Sequence, residues 1–228
     1  MAHPKPLFLY EEIMLLALRN EKGTVATSYS EYAVAGAMLA ELLLDRHILV
    51  DDTRKQLVDL QNTRPTGDPI IDECIEKMIA GKRRASLKTW VSRLARTKNL
   101  RHKVARQLCN RGILCADEGT VLFIFTRKVY PEINPVPEKN IVERARAAIF
   151  TDDDQLDPRT VVLISLANGA NLLSEIFGRK DVKTRKKRIE QIVNGEMTGK
   201  ATKEVIAACQ TAVMVAAIMP AIIASTSN

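Results

Sequence analysis

Apolar residues three and four positions apart recur along most of this 228-residue chain, a spacing that fits helices and little else. Leu7 to Leu18 places Leu7, Tyr10, Ile13, Met14 and Ala17 on one face, with Glu11-Glu12 on the polar face. A turn at Asn20 to Gly23 follows, and Ser30 to Asp45 then turns Val34, Met38, Leu39, Leu42 and Leu43 inward. The breaker cluster Arg64 to Pro69 ends with Asp68 as N-cap and Pro69 in the first turn of the next helix. Pro69 to Ala80, Ser86 to Leu94 and Asn99 to Arg111 read as three helices, the last closed by Gly112. Tyr130 to Pro137 holds three prolines and is predicted to be an extended crossover. Glu138 to Ile149, Pro158 to Phe177, Asp181 to Val193 and Thr202 to Ala224 are predicted helices.

Two short β-hairpins interrupt the pattern. Ile48 to Val50 and Gln56 to Leu60 face each other across Asp51–Lys55. Ile113 to Cys115 and Val121 to Phe125 do so across a turn at Asp117–Gly119. The predicted fold class is therefore mainly α: one helical domain over residues 1–228, with a short extension at 1–6 and one or two small hairpins. A hydrophobic content of 46% is enough for a substantial core, and 10 Gly and 9 Pro argue against a disordered chain. Val205 to Ala224 is uncharged and long enough to span a bilayer, but an all-apolar helix also suits the middle of a bundle, and that reading is preferred.

Charge narrows the function. No acidic residue lies between Glu76 and Asp117, while Lys77 to Arg111 holds 12 of the 34 Lys and Arg. The remaining 22 basic residues against 27 acidic ones leave the rest of the chain at −5, so this stretch accounts for the whole +7 surplus. Concentrated positive charge attracts polyanions, phosphate first among them. Within the stretch, Lys98, Arg101, Lys103 and Arg106 recur near helical spacing, opposite a core stripe of Leu100, Val104 and Leu108. Lys98 and Arg101, on adjacent turns near a helix start, suit one phosphomonoester, with Arg96, Lys103 and Arg106 in support. A second cluster, Arg179-Lys180 with Lys183 to Arg188, reads as a solvated helix face.

Other chemistry finds little footing. There is no phosphate-cradling Gly-rich loop and no serine elbow, and the three histidines are far apart, so neither catalysis, a metal nor a cofactor is expected. Asp152-Asp153-Asp154 reads as an exposed loop before a cap at Asp157. Cys74, Cys109, Cys115 and Cys209 sit in apolar patterns, as buried free thiols do, which points to a reducing, cytoplasmic setting. Trp90 shares core spacing with Leu87, Val91 and Leu94. Val121, Leu122, Phe123, Ile124 and Phe125, backed by Arg127 and Lys128, form either a membrane-touching or self-association hairpin or a strand packed on the core.

Several segments in order resemble the Golgi phosphoprotein 3 family: LFLYEEIMLLAL at Leu7 to Leu18, GAMLAELLLDRHI at Gly36 to Ile48 and PTGDPIIDE at Pro65 to Glu73. Trp90, the Arg-rich helix before Gly112-Ile113-Leu114, the hairpin and LDPRTVVLISLA at Leu156 to Ala167 follow. The resemblance implies a mainly helical peripheral membrane protein that recognises phosphatidylinositol 4-phosphate. Eukaryotic members act as Golgi adaptors that retain glycosyltransferases by their cytosolic tails. Of the family's headgroup pocket, two basic residues a turn apart fall on Lys98 and Arg101. The partner Arg position holds Ala35, and Thr24 to Tyr29 contains no Trp. With only six residues before Leu7, the form resembles a compact bacterial member.

The expected partners are thus an anionic phospholipid, a phosphoinositide by resemblance, with membrane-protein tails and a second copy of the chain behind it. A nucleic acid held along the 77–111 stretch and a scaffold without lipid specificity are the rival readings.

Overall fold

A computed structural model of the chain describes residues 5–19, 24–25, 30–51, 53–121, 125–153 and 155–196. The expected buried helix at Thr202 to Ala224, with its uncharged run, lies outside them. Among the described residues, no helix is long and apolar enough to cross a membrane.

The first helix, α1 (Leu9–Ala17), is buried along its whole length. It runs into a short strand pair, β1 (Leu18–Arg19) with β2 (Thr24–Val25), and then α2 (Ser30–Leu44). Strands β3 (Ile48–Val50) and β4 (Val58–Leu60) pair antiparallel, Ile48 opposite Leu60, as the sequence pattern predicts. Helices α3 (Pro69–Ile79), α4 (Leu87–Ala95) and α5 (Leu100–Asn110) follow. Asp68 caps α3, accepting from the Ile70 and Ile71 N–H groups at 3.1 and 2.8 Å. Gly112 ends α5 with φ +69°. The hairpin of β5 (Asp117–Val121) and β6 (Phe125–Val129) leads to α6 (Val136–Phe150), α7 (Pro158–Gly169), α8 (Leu172–Phe177), α9 (Arg179–Thr184) and α10 (Lys186–Val193). The result is a mainly helical molecule with small antiparallel strand pairs, built on one hydrophobic core that buries side chains of every described helix but α9, whose Val182 packs against its edge.

Helix α1 corrects the expectation of a polar face. Glu11 and Glu12 are buried, 0% and 4% exposed, because cations from later helices reach them. Arg111 Nη1 donates to Glu11 Oε2 at 2.6 Å and Arg144 Nη2 to Glu12 Oε2 at 2.7 Å. Glu41 of α2, also buried, receives Arg159 of α7 and the Leu9 backbone N–H. Three carboxylate–guanidinium pairs therefore pin α1 and α2 to the end of α5, to α6 and to α7. Burial nonetheless pushes the Glu11 and Glu12 carboxyls above the usual range.

The second hairpin forms four residues downstream of expectation. Asp117, Glu118 and Gly119, predicted as its turn, are strand residues opposite Val129, Lys128 and Arg127. Val121 ends β5 opposite Phe125, which begins β6; Leu122, Phe123 and Ile124 lie outside the described residues. Strand-forming residues continue through Phe125-Thr126 to Val129, which gives Asp117–Val121 a longer partner than Ile113–Cys115 offers. Of that earlier segment, Leu114 makes a single bridge to Glu132. The predicted Pro158–Phe177 helix breaks at Asn171, which turns left-handed at φ +59°. The predicted Asp181–Val193 helix also divides, at Arg185, whose guanidinium donates to Phe150 O at 2.6 Å.

Candidate functional site

The turn between α4 and α5 carries the residues the sequence singles out. Apolar Leu87, Trp90, Val91 and Leu94 bury one side of α4, and Leu100, Val104, Ala105 and Leu108 bury one side of α5. The two stripes turn the intervening Arg96-Thr97-Lys98-Asn99 outward. Asn99 holds the corner with φ +59°, a conformation asparagine tolerates better than most residues. Its side chain does not cap α5. The first-turn N–H groups of that helix are thus left without its help.

Two adjoining hollows open here. One, of about 310 Å³, is lined by Glu31 and Tyr32 from α2 and by Arg96, Thr97 and Arg101. The other, of about 600 Å³, is lined by Lys98, Lys103 and Arg106. Asn99 and His102 line both. The structure thus brings Arg96 and Arg101 together, and Lys98 with Lys103 and Arg106, while Lys98 and Arg101 face neighbouring hollows with a shared wall.

The cations differ in how free they are. Arg101 Nε pairs with Glu31 Oε1 at 3.1 Å, both side chains about one-third exposed. Lys103 Nζ lies 2.6 and 2.9 Å from the two Glu73 oxygens, and Lys77 Nζ 3.0 Å from one. That hydrogen bond from Lys103, with help from Lys77, holds the Glu73 carboxyl below its usual range. Arg96, Lys98 and Arg106 are exposed and make no ion pair among the described residues. His102 Nδ1 and the Tyr130 hydroxyl are 2.9 Å apart, which ties the foot of the β5–β6 hairpin to the wall between the hollows. Of the expected membrane or self-association surface Val121 to Phe125, residues 122–124 and the side chains of Val121 and Phe125 lie outside the described set.

Sequence reasoning missed Glu31 and Tyr32. They precede the α5 residues by about seventy positions, so no local spacing signals the encounter. Tyr32 supplies an aromatic ring to the smaller hollow, just after the Thr24 to Tyr29 segment that contains no Trp. Ala35, where the resemblance implies an Arg, is fully buried. Trp90 is 5% exposed, as core spacing predicts, and carries the Arg93 guanidinium 5.0 Å from its ring centre.

Elsewhere, the Arg179–Arg188 cluster is only in part a solvated face. Arg188 is buried and donates to Ala148 O at 3.2 Å, and Arg185 reaches Phe150 O, so both serve the C-terminal end of α6. Asp152 of the acidic loop is exposed as expected, with Arg185 3.5 Å away. Among the described residues, no group of three His, Cys, Asp or Glu side chains is placed to hold a metal ion. Cys74 is buried and its thiol is pushed up to about 12 by desolvation, whereas Cys115, expected to be buried, is exposed. Cys115 follows the Leu114–Glu132 bridge, where the chain leaves the core for β5.

The sequence matches the model of the family described as Golgi phosphoprotein 3 (GPP34) over residues 9–209. A vacuolar protein sorting-associated protein 74 from Eremothecium gossypii is 24% identical to it over 213 residues, covering 78% of this chain. The chain spans 64% of that relative's length.

Proposed function

As the chain belongs to the Golgi phosphoprotein 3 family, we propose that it is a peripheral membrane protein that holds an anionic phospholipid headgroup at the α4–α5 turn. Phosphatidylinositol 4-phosphate is the ligand the family suggests, and the protein acts by binding rather than by catalysis. The observation that carries this reading is the concentration of Arg96, Lys98, Arg101 and Arg106 around two adjoining hollows at an uncapped helix start. A phosphomonoester entering there meets Lys98 as a mobile point charge and Arg101 as a planar fork. To bind fully, it competes with Glu31 for the Arg101 guanidinium. The exposed cations of the 77–111 stretch that carry no ion pair among the described residues supply attraction to an acidic bilayer, each near the surface adding about 1 kcal/mol. Docked in this way, the protein presents the rest of its surface to the tails of membrane proteins, as an adaptor, and pairs with a second copy through its β5–β6 hairpin.

Vesicle sedimentation tests the site. Wild type is expected to pellet with phosphatidylcholine vesicles carrying phosphatidylinositol 4-phosphate, and Lys98→Ala/Arg101→Ala to lose at least about tenfold in affinity. Equal binding by the double variant would remove the site assignment. Retention on duplex nucleic acid with steep salt dependence, in place of vesicle binding, would favour a phosphate track instead.

A further inference from the structure

A larger cationic hollow lies at the opposite end of α4, about 13 Å away along the nine-residue helix. Its volume is about 670 Å³, and among the described residues its charged lining consists of Lys55, Lys82, Arg83, Arg84 and Arg93, with no carboxylate. We propose that this hollow is a second anion site, which takes the phosphate of an organic phosphomonoester or diphosphate.

The end of the segment that presents these cations is anchored before any ligand arrives. Val58 N–H donates to Ala85 O at 2.9 Å and Leu87 N–H to Gln56 O at 3.3 Å, and Leu57 bridges to Ser86, so Ala85–Leu87 is stitched to Gln56–Val58 at the start of β4. Gly81 allows the preceding turn, since a Cβ there would sit 3.0 Å from Met78 O and 3.7 Å from the Trp90 ring. Arg84 is held by Asp51 at 2.9 Å and also by Asp59, so its charge is answered and its position set. Arg93 is steadied over Trp90. Lys55, Lys82 and Arg83 are exposed and have no ion pair among the described residues. Ser86 Oγ accepts from the Thr89 N–H at 3.2 Å, so the helix end is already capped and the side chains are what is left to bind.

Like charges gathered on a rigid frame repel, and an anion between them relieves that repulsion. A hollow in the usual range of ligand pockets, roughly 300–1,000 Å³, is too wide for phosphate alone and suits phosphate on a larger organic group. A lipid headgroup and a soluble organic phosphate share this chemistry.

Amide NMR of the full chain, titrated with inorganic pyrophosphate, tests the site. The N–H signals of residues 82–86 are expected to shift saturably. Lys82→Ala/Arg83→Ala, both exposed positions, is expected to weaken this at least about tenfold with an unchanged thermal melt, and Lys98→Ala/Arg101→Ala to leave it intact. If Lys82→Ala/Arg83→Ala also weakens binding to vesicles bearing phosphatidylinositol 4-phosphate over plain phosphatidylcholine, the ligand is a headgroup. If it leaves vesicle binding unchanged, the ligand is a soluble phosphate. No saturable shift at 82–86, or equal pyrophosphate affinity in the variant, overturns the proposal whatever the α4–α5 turn does.

Discussion

Arg111, the last of the cations in the 77–111 stretch, points inward. Its Nη1 meets Glu11 Oε2 at 2.6 Å and its Nη2 donates to the Lys5 and Pro6 carbonyls, so it joins the chain's beginning to the end of α5. Removing one partner of a buried ion pair costs about 3–5 kcal/mol, because the other charge is left in a low dielectric. Arg111→Ala is expected to lose stability on that scale. The loss has a pH signature. Without Arg111, the already raised Glu11 carboxyl rises further in the folded state. A carboxyl whose folded pKa exceeds its unfolded one binds extra protons when folded, so its contribution is full at acid pH and is lost as pH rises through that window. The Arg111→Ala deficit should therefore be smaller at about pH 5 than at pH 7 in urea unfolding. An equal deficit at both would mean that Glu11 is not the group left stranded. Only the place of Glu11 inside an apolar run was legible from the sequence, which set it on a polar face rather than in the core. The cation was not, because a partner 100 residues away leaves no periodic trace.

At the scale of elements, caps were the most legible feature and strand registers the least. Asp68 and Asp157, each followed by proline, mark the starts of α3 and α7 as the sequence predicts. Their environments set them apart. Asp157 is exposed and bonds within its own turn, to Thr160. Asp68 is 3% exposed and also accepts the Tyr10 hydroxyl of α1 at 2.7 Å and the Gln107 amide of α5. Asp157→Ala is thus expected to cost the roughly 1 kcal/mol of an ordinary cap, and Asp68→Ala about 3 kcal/mol, since it also strands buried donors. Chemical denaturation of the two variants gives the comparison; similar losses would show that the Tyr10–Asp68–Gln107 contact contributes little. The β5–β6 register escaped prediction because Asp-Glu-Gly is a strong local turn signal, overridden here by the longer pairing available downstream. The breaks at Asn171 and Arg185 were missed as well, although Asn168-Gly169 precedes the first and the run 183–188 at the second holds no apolar residue.

Over the whole molecule, charge is segregated rather than balanced. The segment containing α4 and α5 carries the entire positive surplus and places it at both ends of α4, while the carboxylates of α1 and α2 are spent on the core. Glu31 is the exception, an acid set among the α4–α5 cations. Glu31→Gln is expected to strengthen binding to acidic vesicles about two- to fivefold, the worth of one partly exposed pair, with the gain fading at high salt. Unchanged or weaker binding would show that Glu31 positions Arg101 rather than competing for it. The net positive balance and its location were plain in the sequence; that the cations divide among separate hollows depends on the α2–α5 approach, which no local pattern encodes. The three buried pairs bear as well on how the chain is made. The carboxylates at 11, 12 and 41 leave the ribosome 100, 132 and 118 residues ahead of the guanidiniums that answer them. Such long separations slow folding. During synthesis, α1 can settle on α2 early, yet its two buried acids stay unanswered until α5 and α6 have emerged.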